Sequence, residues 1–378
     1  MTHPAQDVAP PSSRPSSPLL ARDGAVADAA TGVAWHYGDP TAEARALAAG
    51  RGVAETSVGV VTVTGPDRLT WLHSLTSQDL ATLPPRTSTE TLVLSPHGHV
   101  EHAAGVVDDG TTTWLLTATP AGLAAWLDRM RFMLRVEVAD VSAQWVALGE
   151  GIDAEGADGG PVTWRDPWPR TAPGGTRYGP TDAEHPGSER AWRLVLVPRA
   201  GLARAVADRE AAGARLAGTW AVEAARVAAW RPAAAEVDHR TIPHELDWLR
   251  TAVHLHKGCY RGQETVARVH NLGRPPRRLV MLHLDGSDHR FPEPGAAVTS
   301  AGREVGSVTS VVRHHELGPV ALAVVKRSLD VAAPLLVTCA DGEVAAAQEV
   351  VVAGEGVSAD RPAPRGEVAR GLAPPTTR

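Results

Sequence analysis

The chain has 378 residues, of which 43% are apolar and 21% charged, a balance that excludes a disordered or fibrous protein and leaves room for two or three domains with their own cores. Its formal charge of −6 argues against a surface wrapped in nucleic acid, although a local basic patch is compatible with it. No apolar run reaches the roughly 20 residues that cross a bilayer, so a soluble protein with no membrane partner is expected.

Met1 to about Gly24 is rich in Pro, Ser and Ala and lacks both a basic start and an apolar core, so it does not read as a secretory signal. A disordered tail is predicted there, extending to about residue 30. With no such signal and two cysteines, Cys259 and Cys339, reduced thiols in the cytoplasm are expected. Asp39-Pro40 ahead of Thr41 to Gly50 predicts a capped helix. The β-branched run Val58 to Thr64 predicts a strand, and Leu69, Leu72, Leu75 and Leu80 predict the helix after it. Residues 89–95, 100–107 and 111–118, joined by tight turns, predict an antiparallel meander. Pro120 opens a helix to about Met133, and strands follow at 134–141 and 145–148. Trp71, Trp114, Trp126 and Trp145 read as core anchors.

Residues 149–190 hold many Gly, Pro, Asp and Glu and show no periodicity, which predicts a long surface loop or insertion, part of it pinned down by Trp164 and Trp168. Order resumes with a strand at Trp192 to Val197 and helices at Arg199 to Ala212 and Gly218 to Trp230. Six short strands between Arg278 and Val351 predict a small barrel, followed by a disordered tail after Gly354. The fold class is therefore α+β, divided as 31–148, 149–190, 191–274 and a barrel at 275–353.

Between these units lies a stretch of scarce residue types. Only Lys257 and Lys326 are lysines, and only Tyr37, Tyr178 and Tyr260 are tyrosines, yet Lys257, Cys259 and Tyr260 fall within four residues. A lysine in a chain that otherwise uses arginine suggests that a compact ammonium is wanted. Gly258 and Gly262 let the backbone turn and approach a ligand. Gln263 to Asn271 has helical spacing, so Cys259 should precede a helix N-terminus. That end, with Lys257 and Arg261, should favour the thiolate, making Cys259 a candidate reactive thiol and Lys257 its charge partner. The bland alternative is a buried, inert cysteine, which is the preferred reading for Cys339.

Six basic residues between His254 and Arg278 face one acid, Glu264. A folate tail, a phosphate or an RNA backbone would suit them, and so would plain solvation. His254, His256 and Cys259 have metal-like spacing, but no second cluster of soft ligands accompanies them, so no autonomous metal site is predicted. Cysteine–histidine catalysis is a weak alternative.

Lys257-Gly258-Cys259-Tyr260-Arg261-Gly262-Gln263-Glu264 with Val266-Ala267-Arg268 resembles the signature of the YgfZ family, which is similar in turn to the T-protein of the glycine cleavage system. The likeness extends in element order from about Gly32 to Val352, including Val63 to Asp67 and the terminal barrel. It implies a three-domain ring around a cavity for tetrahydrofolate. It also implies a part in assembling or repairing iron–sulfur clusters in client enzymes, including enzymes that modify transfer RNA. Under it, Tyr260, Arg261, Gly262, Gln263, Glu264, Arg268 and Trp230 are candidates for contact with the cofactor. Clusters commonly use four cysteines, so Cys259 would share a transient cluster with an assembly protein or client.

Two departures stand out. The T-protein acidic pair has no counterpart in Gly98-His99-Val100-Glu101-His102-Ala103, which predicts that aminomethyl transfer is lost. The pterin-contacting glutamate of an Arg-x-Glu-x-Gly run is replaced in Arg226-Val227-Ala228-Ala229-Trp230, with Glu236, Asp238 or Glu245 as substitutes by position. The expectation is an accessory protein rather than a classical enzyme. The alternatives are a tetrahydrofolate-dependent aminomethyl or one-carbon transferase, or an RNA- or protein-binding module, although direct nucleic-acid binding is not the favoured outcome.

Overall fold

The computed structural model describes residues 14–152, 159–287 and 290–361. A ribbon of β1 (Val26–Ala27) and β2 (Ala34–His36) leads into α1 (Pro40–Ala48). Asp39 caps α1 by accepting from the Ala42 amide at 2.9 Å, and Pro40 fills its first turn, where a missing N–H costs nothing. The chain continues through β3 (Gly52–Glu55), β4 (Gly59–Thr64), α2 (Arg68–Leu75), β5 (Ser88–Leu94), β6 (Val100–Asp108) and β7 (Thr112–Thr117). After α3 (Pro120–Met130) come β8 (Glu137–Asp140), β9 (Trp145–Glu150), β10 (Thr163–Arg165), β11 (Arg193–Pro198), α4 (Leu202–Ala211) and β12 (Arg215–Ala217). Helices α5 (Thr219–Ala228), α6 (Leu249–Ala252) and α7 (Gln263–Asn271) precede β13 (Arg277–Leu284). Five strands finish the fold: β14 (Ala297–Ser300), β15 (Arg303–His314), β16 (Gly318–Lys326), β17 (Leu335–Cys339) and β18 (Gly342–Val350).

Two five-stranded sheets have the orders β5-β6-β7-β4-β8 and β10-β11-β9-β3-β12, and β13 to β18 close into a six-stranded barrel. The first sheet is antiparallel throughout. In the second, only β12 against β3 is parallel. The architecture is α+β, with antiparallel sheets, helices and a closed C-terminal barrel, as the alternating runs predict. The largest apolar cluster joins Leu92 and Val100 of the first sheet, Val227 of α5, Leu249 of α6, Val266 of α7, and Met281 and Leu322 of the barrel. The first sheet, helices α5 to α7 and the barrel therefore share a core. No helix among the described residues is long and apolar enough to cross a membrane.

Several short elements carry no periodic signal and are absent from the sequence reading: β1, β2, β3 and β12 among them. The larger difference lies in residues 149–190, whose described part is not a surface loop. β9 runs to Glu150, β10 pairs with β11, and Trp164, Trp168, Tyr178 and His185 are all buried. Asp182 receives the Thr171 amide and hydroxyl and the Arg250 guanidinium, tying the segment to α6. These partners lie far along the chain, so no local pattern announces them.

Both predicted tails are partly ordered as well. Leu19 is buried and the Ser17 hydroxyl donates to Glu55, while Ser358 packs against His270 at 3.2 Å. The rest of those tails, residues 1–13 and 362–378, lies outside the described residues. The strand expected from Leu134 starts only at Glu137, and Phe132, Met133 and Leu134 form an exposed turn before it.

Trp164 shows how firmly the middle segment is held. Its indole fills the space a Cβ on Gly105 would need, and its Nε1 donates to the Thr89 carbonyl at 2.7 Å. Trp164→Ala should cost about 3–5 kcal/mol in chemical denaturation, against under about 0.5 kcal/mol for a surface position.

Candidate functional site

The lysine–cysteine stretch follows α6 after residues 253–256. Gly262 has φ +83°, and a Cβ there would lie 2.5 Å from the Ser95 carbonyl oxygen and 3.1 Å from Gly98 Cα. Gly98, with φ +78°, would in turn drive a Cβ to 2.8 Å from the Thr265 side chain. Only glycine suits both positions, and the β5–β6 turn consequently rests on the first turn of α7. Tyr260 is buried in the shared core beneath.

Lys257 is almost fully enclosed. Its ammonium donates to the carbonyls of Thr76 (2.6 Å), Gln78 (2.9 Å) and His73, closing the C-terminal end of α2, whose last carbonyls have no helical partner. Burial pulls its pKa down to about 8, against the pull of Asp79. Arg261 lies 5.9 Å above the Trp126 ring and binds Glu101 at 2.5 Å. Arg268 pairs with Glu264 one turn away on the exposed face of α7. The expectation that Lys257 is the charge partner of Cys259 is therefore corrected: all three of its donors go to carbonyls. Arg261 is likewise engaged elsewhere. Cys259 itself is exposed, three residues before Gly262, the residue that precedes α7. Among the described residues no group of three or more His, Cys, Asp or Glu side chains gathers to hold a metal ion.

A cavity of about 750 Å³ opens between β6, β7, β10, β11, α5 and β15, where both sheets and the barrel meet. Trp164, Trp192, Trp220 and Trp248 supply aromatic walls. One wall is ionic. Arg231 donates to Glu90 at 2.7 Å and to Asp166 at 3.2 Å, and Arg190 holds Asp166 at 2.7 Å. Burial raises the Asp166 pKa, yet Arg231 and Arg190 outweigh it and keep the carboxyl below its usual range. Glu90 also accepts from Trp248 Nε1 and the Thr251 hydroxyl. Beside them Arg226 grips Glu223 through two nitrogens, at 2.5 and 2.8 Å, and its far edge is fixed by Glu236 and Ser310. Glu223 is 40% exposed, the most open carboxylate of this wall.

None of Tyr260, Arg261, Gly262, Gln263, Glu264, Arg268 and Trp230 lines this cavity. The physical reason is the position of the motif, which sits behind the β5–β6 hairpin. Its polar link to the cavity among the described residues is Arg261, whose partner Glu101 is on the rim. Trp230, at φ +53°, turns into the core and donates to Met281 Sδ at 3.2 Å. The three substitute carboxylates are also turned away: Glu236 holds Arg226, Ser310 and Thr309, and Asp238 and Glu245 hold Arg277.

Most of the charged wall of the cavity was missed. Glu223 stands one turn before Arg226 on α5, and that i, i+3 spacing was the available signal. Nothing local marks Glu90, Asp166, Arg190 or Arg231, which meet across up to 141 residues. His102 and Ala103, at the positions of the missing acidic pair, do line the cavity. His102 Nδ1 is 2.8 Å from the Thr119 hydroxyl, and burial lowers its pKa, which favours the uncharged ring.

Lys257→Met, which keeps the bulk and removes the donors, should cost about 2–4 kcal/mol in urea denaturation because three carbonyls lose their partner. The rate of Cys259 alkylation at neutral pH should stay unchanged.

Comparisons with known proteins fit this geometry. The chain is similar over 104 residues, at 36% identity, to an Arabidopsis thaliana protein named "Putative transferase At1g60990, chloroplastic". That match spans 26% of this chain and 22% of the relative's length. Across 89% of this chain and 94% of the other, the structure superposes on the glycine cleavage system aminomethyltransferase T from Bartonella henselae, with a TM-score of 0.68 and 18% identity. Residues 277–355 match the family of the glycine cleavage T-protein C-terminal barrel domain. The chain thus carries that family's barrel domain on a T-protein fold.

Proposed function

We propose that the chain binds a reduced folate in the central cavity without transferring an aminomethyl group from it, and serves as an accessory factor in iron–sulfur cluster assembly or repair through Cys259. The half-open carboxylate of Glu223 carries the first part. A pterin offers adjacent N–H donors on one edge, and a carboxylate already oriented by Arg226 receives them without further ordering. The cavity is within the usual 300–1,000 Å³ of small-molecule sites, and its tryptophans suit a flat heterocycle. Glu223, one turn before the altered Arg226 run, takes the place of the absent glutamate.

The absence of transfer chemistry rests on His102 and Ala103. A neutral imidazole and a methyl group supply no carboxylate where the T-protein-like pair is expected. The likeness of the Lys257 to Glu264 stretch to the YgfZ signature supports the iron–sulfur part, together with a thiol exposed outside the cavity where a second protein can reach it. A single cysteine needs further ligands from that protein.

Tetrahydrofolate binding, followed by calorimetry, should weaken roughly 10- to 100-fold in Glu223→Ala, as expected for loss of a charged hydrogen-bonding partner. Equal binding by this variant would remove Glu223 from the site. In a host lacking the gene, Cys259→Ala should fail to restore iron–sulfur enzyme activity while still binding folate. Full restoration would refute the role of the thiol.

A further inference from the structure

Trp248, Trp164 and Trp192 are 2%, 5% and 7% exposed, whereas Trp35, which lines the same cavity, is 42% exposed. Three indoles are thus buried walls, and Trp35 stands at the open end. It lies on β2 against Trp220 at the start of α5, with ring centroids 4.7 Å apart and planes tilted by 46°. The pair is held from both sides. Trp220 Nε1 donates to the Arg313 carbonyl of β15 at 3.3 Å, and the Thr219 hydroxyl donates to the Ala34 carbonyl at 3.4 Å. A Cβ on Gly218 would lie 2.2 Å from the Trp35 carbonyl oxygen, so glycine is what lets the β1–β2 ribbon come this close to α5. An aromatic surface fixed in this way meets a ligand without further ordering.

Helix α5 sets the spacing. Trp220 and Glu223 both line the cavity, and they are neighbours on the helix surface, about 4.5 Å apart along its axis. A flat ring against Glu223 therefore has the indole pair beside it on the way to the mouth. In a folate, a short methylene–nitrogen bridge joins the pterin to an aminobenzoyl ring, which in turn carries the glutamate. We propose that Trp35 and Trp220 form a second aromatic subsite that takes the aminobenzoyl ring, so that the cavity selects a pterin carrying this ring over a free pterin. The inference rests on the reading of Glu223 as the partner of the pterin.

Selection ends at that ring. Outside the ionic wall, the described lining adds the carboxylates of Asp28 and Glu101 and no lysine or arginine. The arginines of the wall already hold carboxylates: Arg190 holds Asp166, Arg226 holds Glu223 and Glu236, and Arg231 holds Glu90 and Asp166. None of the basic residues between His254 and Arg278 lines the cavity. A run of glutamates leaving by the mouth therefore meets no cation in the described lining that lacks a carboxylate, and it stays in water, where salt screens its attraction to more distant charges. Folates with one glutamate or several should bind alike.

The test is calorimetry on the full-length protein with tetrahydropterin, tetrahydrofolate and tetrahydrofolate triglutamate. Trp35→Ala should weaken tetrahydrofolate about tenfold, as loss of a stacked aromatic partner does, and leave tetrahydropterin within about twofold. Trp35→Phe, which keeps a ring, should recover most of that loss, and unchanged melting in both variants separates a lost contact from a loosened ribbon. Glu223→Ala should weaken both ligands. Tetrahydrofolate binding that is unchanged in Trp35→Ala, or a loss shared equally by tetrahydropterin, would overturn the second subsite and leave Glu223 in place. Both ligands unaffected by Glu223→Ala would instead overturn the reading beneath it. A triglutamate bound about tenfold or more tighter than the monoglutamate would overturn the statement that selection ends at the ring.

Discussion

The contact between Gly98 and Gly262 governs how the rest of the molecule meets. Two backbones approach where neither position has room for a Cβ, and each glycine adopts a positive φ. That approach seats the β5–β6 hairpin on the start of α7, so the first sheet, the thiol segment and the core shared with the barrel become one body. Lys257 reinforces the join from the other side. Its ammonium satisfies three carbonyls near the end of α2, a converging set that suits a compact point charge with three donors. The scarcity of lysine elsewhere makes sense in that light: here the cation is structural.

This join separates two chemistries that a linear reading places together. The cavity is assembled from strands and a helix that approach from both sheets, and its ionic wall is made by Glu90, Asp166, Arg190, Glu223, Arg226 and Arg231. The thiol segment lies behind the hairpin, facing outward. The Arg261–Glu101 ion pair spans the two, with its carboxylate on the cavity rim and its guanidinium on the Trp126 ring.

Regular periodicity made much of the fold legible. The capped helix after Asp39, the meander from 88 to 117, α7 and the barrel strands all carry their own local signal, because each buries a face that repeats at the period of its element. Elements held by distant partners carried none. β3 and β12 are four and three residues long and pair with each other across more than 160 positions. The Gly- and Pro-rich middle segment looks solvated by composition, yet Trp164, Trp168 and the Asp182–Arg250 pair draw it inward.

By itself, the sequence determined the order of elements, the barrel, the capped start of α1 and the singular chemistry of residues 257–264, because these depend on neighbours along the chain. Tertiary structure decided what that chemistry does. Lys257 turned to a helix end, Arg261 to a carboxylate, Tyr260 to the core, and the cavity drew its wall from residues scattered between Glu90 and Arg231. Hydrogen bonds and ion pairs at 2.5 to 3.2 Å are satisfied by whichever partner the packed backbone brings near, and sequence separation places no limit on that choice.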